Sequence, residues 1–151
     1  MKTNKMNKVL IALNFDPTAQ RIAEVGSTLA HRLDAEIILL HVVEDLATYS
    51  LNYQIMGPLQ LDYAVELKQA SQNFIEKVKL HLGDATLVSV IKEGDFAKCI
   101  LETAIELDVD IIVMGSHSSK WLGSSMLGSV SDEVLQNTDI SLFIIPTIER
   151  S

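Results

Sequence analysis

Short apolar runs alternate with helically spaced segments along the whole chain, and this alternation restricts the fold more than any other feature. The runs are Lys8–Leu13 (KVLIAL), Glu36–Val43 (EIILLHVV), Thr86–Ile91, Asp110–Met114 and Ser141–Ile145 (SLFII). Each has the length of a strand, and those that are apolar almost throughout carry the pattern of strands covered on both faces. Between them, Ile22, Val25, Leu29 and Leu33 predict a helix over Thr18–Leu33. Tyr63, Leu67, Ala70, Phe74 and Val78 predict one over Gln60–Leu82, and Phe96, Ile100, Ala104 and Leu107 one over Phe96–Leu107. A last short helix is expected over Gly128–Gln136. Strict strand–helix alternation demands an α/β architecture: a doubly wound five-stranded parallel sheet with right-handed crossovers and helices on both faces. In such sheets ligands bind beyond the carboxyl ends of the strands, where the winding direction reverses.

Local punctuation supports these boundaries. Asp16 suits an N-cap and Pro17 a first helical position. Gly83-Asp84 ends the second helix, and Pro146 stops the last strand. Thr86–Ile91 is less apolar than the other runs, which places it nearer a sheet edge. From Glu44 to Leu59 the periodicity fails; with Tyr49, Tyr53, Gly57 and Pro58, this segment reads as an irregular excursion.

A chain of 151 residues, 48% hydrophobic and 21% charged, is long enough for one domain with a sizeable core. Its formal charge of −8, with no basic run, argues against nucleic-acid binding, where Lys and Arg supply most of the affinity. No run approaches a membrane span, and the apolar stretch near the N-terminus stops at Asn14 and Asp16 without a cleavage site. A cytoplasmic location is the expectation. The single Cys99 falls on the apolar stripe of a helix and reads as a small core residue.

The stretch Ile111–Ser131 (IIVMGSHSSKWLGSSMLGSVS) carries the functional signal. A buried strand breaks at Gly115 into a Ser/Gly-rich loop, and small residues at Gly128-Ser129-Val130 lead into a helix. Free N–H groups and the dipole at a helix start favour an anion. The same residues also suit an ordinary capping pair, Ser129 with Asp132. Gly123 to Ser129 has the glycine spacing of a P-loop, but serine stands where the phosphate-binding lysine belongs, so a P-loop NTPase is excluded.

Laid out in this way, the chain resembles the universal stress protein family over nearly its whole length. The resemblance rests on VLIALNFDP, EIILLHVVE and VDIIVMGSHSSKWLGSSMLGSV. It implies strand order 3-2-1-4-5 and an adenine nucleotide alpha hydrolase-like fold. Nucleotide-binding members carry G-x2-G-x9-G-[ST] after the fourth strand, with phosphates in that loop and adenine near the first two strands. Gly115, Gly128 and Ser129 match the first glycine, the last glycine and the hydroxyl. Met114 precedes that motif, His117 lies within it, Val130 follows it, and Val42 matches an adenine-side valine. The implied ligand is ATP, or AMP or ADP, with Mg²⁺ as a possible companion.

Two positions depart from the pattern. Ser118 replaces the second glycine, and Asn14 replaces the acidic residue near the ribose. If position 118 needs a left-handed backbone, a serine there costs about 1–2 kcal/mol, roughly five- to thirtyfold in affinity. Asn14 keeps hydrogen-bonding capacity but loses the charged acceptor. Weakened rather than abolished binding is expected.

His41, inside an apolar strand, reads as a satisfied core histidine. His117, beside Lys120, suits the phosphate side, and Trp121 reads as an anchor for the loop. His31 and His81 fall on helix surfaces. Neither His41 nor His117 has metal-ligand spacing around it, and no Ser-His-Asp order or nucleophile elbow occurs. These features describe a nucleotide-binding stress sensor with at most slow hydrolysis. The alternative is a dimeric interaction protein of the same fold that has lost the nucleotide. A homodimer is expected through the terminal strand, Ser141, Leu142, Phe143, Ile144 and Ile145, as an unguarded apolar edge.

Overall fold

The computed structural model describes residues 6–43, 57–116 and 128–147. In chain order these form β1 (Lys8–Leu13), α1 (Ala19–Leu33), β2 (Glu36–Val43), α2 (Gly57–Leu82), β3 (Val88–Glu93), α3 (Phe96–Glu106), β4 (Ile111–Gly115), α4 (Ser129–Asn137) and β5 (Ser141–Ile145). The sheet runs β3-β2-β1-β4-β5, and every pairing is parallel. The doubly wound α/β fold with order 3-2-1-4-5 is therefore present.

Alternation along the strands divides the core in two. Val9, Ile11, Leu13, Ile37, Leu39 and Val113 pack under α1 and α2 with Ile22, Ala30, Ile75 and Val78. Leu10, Ile38, Leu40, Val42, Ile112 and Met114 pack under α3 and α4 with Ala97, Ile100, Ala104 and Val134. Val9, Leu10 and Ile11 are completely buried, as the central strand must be when both faces are covered. Each such aliphatic side chain stabilises the fold by about 1.5–3 kcal/mol on burial. Gly26 lets α1 cross closely over β1 and β4: a Cβ there would stand 2.8 Å from Ile11 Cδ1 and 3.2 Å from Val113 Cγ1.

At the amino edge, Asp110 fixes β1 against β4. Its carboxylate accepts from the Asn7 and Lys8 amides at 2.7 and 2.9 Å, and its own amide donates to the Lys8 carbonyl. This pairing sets the reversal point, because the chain winds outward from β1 to β3 and then restarts at β4 on the other side.

Several boundaries differ from the sequence expectation. Asp16 is not the N-cap of α1, and Pro17 is not its first residue. Thr18 is the N-cap, without a side-chain capping bond. Asp16 instead closes the turn before it, accepting from the Thr18 amide at 2.7 Å and from the Thr18 hydroxyl. The second helix begins at Gly57, so 57–59 belong to it and not to an irregular excursion, while 44–56 lie outside the described residues. The third strand begins at Val88, since Thr86 is engaged by Asp84 in a turn. It runs to Glu93, beyond the expected Ile91.

Candidate functional site

The carboxyl ends of β1, β2 and β4 meet at the reversal point. Leu13 is in register with His41, and Ile11 with Val113. Carrying both registers forward brings Asn14, Val42 and Ser116 into one row across the three strands. Val42 and Met114 are buried, at 3% and 4% exposure, on the face covered by α3 and α4. Asn14 is half-buried, and its carbonyl accepts from the Asp16 amide at 2.9 Å. Of the expected site residues, Asn14, Val42, Met114, Gly115, Gly128, Ser129 and Val130 therefore gather at this end of the sheet, whereas His117 and Ser118 lie outside the described residues, as do Lys120 and Trp121.

The β4 end is held by small residues. A Cβ on Gly115 would stand 2.8 Å from both Ile22 Cδ1 and Thr147 Cγ2, so any side chain there requires those two to shift. The Ser116 amide donates to the Ile145 carbonyl at 2.9 Å, and the Gly128 amide donates to the Ser116 carbonyl at 2.8 Å. The Thr147 amide donates to Ser116 Oγ at 3.1 Å. Ser131, fully buried, donates its hydroxyl to the Gly115 carbonyl at 2.8 Å and lies 3.2 Å from the Ser116 carbonyl. The start of α4 is thereby fastened to the end of β4.

Gly128, not Ser129, is the N-cap of α4, and it makes no side-chain capping bond. The expected Ser129–Asp132 capping pair does not form. The helical ladder opens with the Asp132 amide donating to the Gly128 carbonyl at 2.9 Å. The amides of Ser129, Val130 and Ser131 precede that ladder, at the positive end of the helix dipole. This donor set suits phosphate oxygens. Asp132 competes for the same dipole from the first turn, but its carboxylate is turned along the helix and accepts from Gln136 Nε2 at 2.9 Å.

Three residues at this end escaped the sequence argument. Ser116 and Ser131 are the fasteners just described, and nothing in a serine-rich loop distinguished Ser116 from its neighbours. His41 is a satisfied core residue, as its place in an apolar strand predicts: it is 4% exposed, and its Nδ1–H donates to the Leu13 carbonyl at 3.1 Å, a reach to β1 that its own strand does not reveal. Burial pushes the imidazole below its ordinary range, against the opposing pull of the Leu13 carbonyl.

Two surface hollows are lined by described residues. One of about 320 Å³ is lined by Val43, Leu67, Lys68, Gln72, Ile91, Lys92 and Glu93. The other, of about 260 Å³, lies between α1 and α2 beside Phe74, Lys77 and His81.

A doubly wound sheet with a helix N-terminus fastened at its reversal point defines the class. The universal stress protein family model matches residues 5–146, and the chain belongs to that family. It is similar to universal stress protein A homolog 2 of Coxiella burnetii, 29% identical over 139 residues covering 91% of this chain and 93% of the relative. It is also similar to universal stress protein MJ0577 of Methanocaldococcus jannaschii, 26% identical over 151 residues, with coverage of 91% and 93%. The solved structure of MJ0577 matches this fold with a TM-score of 0.75 at 24% identity, over 97% of this chain and 100% of that one. A universal stress protein solved in complex with cAMP matches with a TM-score of 0.63 at 16% identity, over 96% and 100%. Among the described residues, no helix is long and apolar enough to cross a membrane.

Proposed function

We propose that this universal stress protein binds ATP or a related adenine nucleotide at the β1/β4 crevice and acts as a cytoplasmic sensor or binding module, with at most slow hydrolysis. The observation that carries the reading is the set of amides at Ser129, Val130 and Ser131, ahead of the α4 ladder and held beside the β4 end by Ser116 and Ser131. The cAMP complex of a relative supports an adenine nucleotide as ligand. Phosphates would lie over Gly115 and Gly128–Val130, with His117 and Ser118 from the intervening loop. Asn14 would face the ribose, and Val42 and Met114 the base side. Isothermal titration with ATP and Mg²⁺ tests it: saturable heat is expected, and Gly128→Leu should abolish it. No heat and no thermal shift at millimolar ATP would overturn the reading. Ser118→Gly should tighten binding by up to about thirtyfold.

One observation favours the second reading, a dimeric interaction protein without nucleotide. Packing against Ile22 and Thr147 accounts for Gly115 with no ligand involved. Both readings include a homodimer through β5, which is an edge strand with Phe143 39% exposed. Light scattering should give twice the chain mass for the wild type and a lower mass for Phe143→Lys.

A further inference from the structure

We propose that His41 is a positioning residue for the nucleotide site, setting the course of the chain through Asn14; this rests on the nucleotide reading above. His41 is the last β2 residue in register with β1, opposite Leu13. The β1–β2 ladder ends at this pair, and a backbone carbonyl, with its two lone pairs, can take a second donor there beside its ladder bond. The buried imidazole supplies it, through Nδ1–H to the Leu13 oxygen at 3.1 Å. That oxygen lies in the same rigid peptide plane as the Asn14 amide, so fixing it fixes the direction in which Asn14 leaves the sheet.

The ring also reaches the residue on the other side of Asn14. Its centroid lies 6.2 Å from that of Phe15 and 5.0 Å from that of Phe74, and the two phenyl rings are 5.0 Å apart. Phe74, on α2, braces the imidazole from behind, while Phe15 rests against both rings although it is 63% exposed. Asn14 is thus bracketed by one side chain, which bonds the peptide before it and packs on the ring after it. Phe15 lies with His41 and Phe74 on the α1/α2 side, while the β1–β2 register carried one step forward sets Asn14 opposite Val42. Burial lowers the imidazole below its ordinary range, and because its partner is a carbonyl oxygen, Nδ1 carries a proton in this bond.

The test is a double-mutant cycle on ATP affinity with a ligand-free readout beside it. His41→Leu keeps apolar bulk and removes the donor; affinity should fall about three- to tenfold, the equivalent of one hydrogen bond. His41→Asn, which sets an amide nitrogen near the Nδ1 position, should recover most of it. In an Asn14→Ala background the His41→Leu loss should vanish. Equal losses in both backgrounds, or no loss in either, would overturn the proposal. Amide exchange at Asp16, whose N–H bonds the Asn14 carbonyl, should be faster in His41→Leu without ligand. Should the wild type bind no nucleotide, the functional reading fails. Exchange then still decides for His41: acceleration upholds its hold on the turn, and unchanged exchange overturns it.

Discussion

β1 and β4 leave the sheet side by side, yet their ends are held by opposite means. At β1, side chains reach to backbone: the His41 imidazole bonds the Leu13 carbonyl, and the Asp16 carboxylate bonds the Thr18 amide and hydroxyl. At β4, the hold comes from main-chain bonds around Ser116, from the Ser131 hydroxyl, and from the missing side chain of Gly115. Added atoms should therefore damage the β4 end, whereas removed atoms should damage both ends, the buried β4 end more. Nucleotide sites at such a reversal point need both ends: one to present amides, the other to present a hydrogen-bonding side chain.

The largest effect should come from adding an atom at β4. Gly115→Ala forces a Cβ within 2.8 Å of Ile22 and Thr147, and overpacking of this kind costs about 1–3 kcal/mol. Thermal unfolding should show a Tm lower by roughly 2–12 °C for a chain of this size. An unchanged Tm would mean that Ile22 and Thr147 move aside freely, and the contrast between the two ends would then lose its basis.

Ser131→Ala removes a fully buried hydroxyl from the same end and leaves the Gly115 carbonyl without that donor. The expected loss is about 1–2 kcal/mol, measured by urea unfolding. Amide exchange at Gly128 should rise with it, since the loosened helix start bonds Ser116 through that amide. A stability loss with unchanged exchange would separate Ser131 from the fastening of α4.

Much of this was legible in the residues. The runs KVLIAL, EIILLHVV and SLFII gave β1, β2 and β5 with their observed bounds, because each is a short apolar, β-rich run bounded by polar residues or proline. Burial on both faces holds for β1 and β2, while β5 is a partly exposed edge strand. Thr86 misled because side-chain bonding to a neighbouring aspartate competes with strand pairing, a preference that propensity does not register. Asp16 misled for the same reason: it closes a turn of its own two residues before the N-cap. At the site, Gly115 and Gly128 were legible as small residues in a strand–loop–helix pattern. Ser116, Ser131 and the reach of His41 were not, since each acts through partners 12 to 31 positions away, which no local pattern encodes.

At the β1 end, Asp16→Ala should cost about 0.5–1 kcal/mol, less than either β4 change, by analogy with the loss of a helix cap. Two bonds to Thr18 disappear, but the turn keeps its main-chain bond from Ala19 to the Asp16 carbonyl at 3.2 Å. Urea unfolding should show a lower midpoint with an unchanged m-value. A loss larger than that of Ser131→Ala would reverse the ranking of the two ends.

The smallest signal is a slope with pH, and it comes from His41 at the β1 end. Burial lowers the imidazole in the folded protein below its ordinary value of 6.5, while the Leu13 carbonyl opposes the shift. Above 6.5 both folded and unfolded chains hold the ring neutral, and stability does not depend on it. As pH falls through 6.5 the unfolded chain takes up the proton first, so the unfolded state binds more protons and stability declines until the folded value is passed. Glu24 acts in a lower window. Its carboxyl is held below 4.5 chiefly by the hydrogen bond from His81, so its contribution is present above that value and fades below it. Unfolding free energies from about pH 7.5 to about pH 5 should therefore fall for the wild type and stay flatter for His41→Leu, which has no ring to protonate. Parallel curves for the two proteins would move the titrating group away from the β1 end and leave His41 with packing and its single bond as its means of holding Asn14.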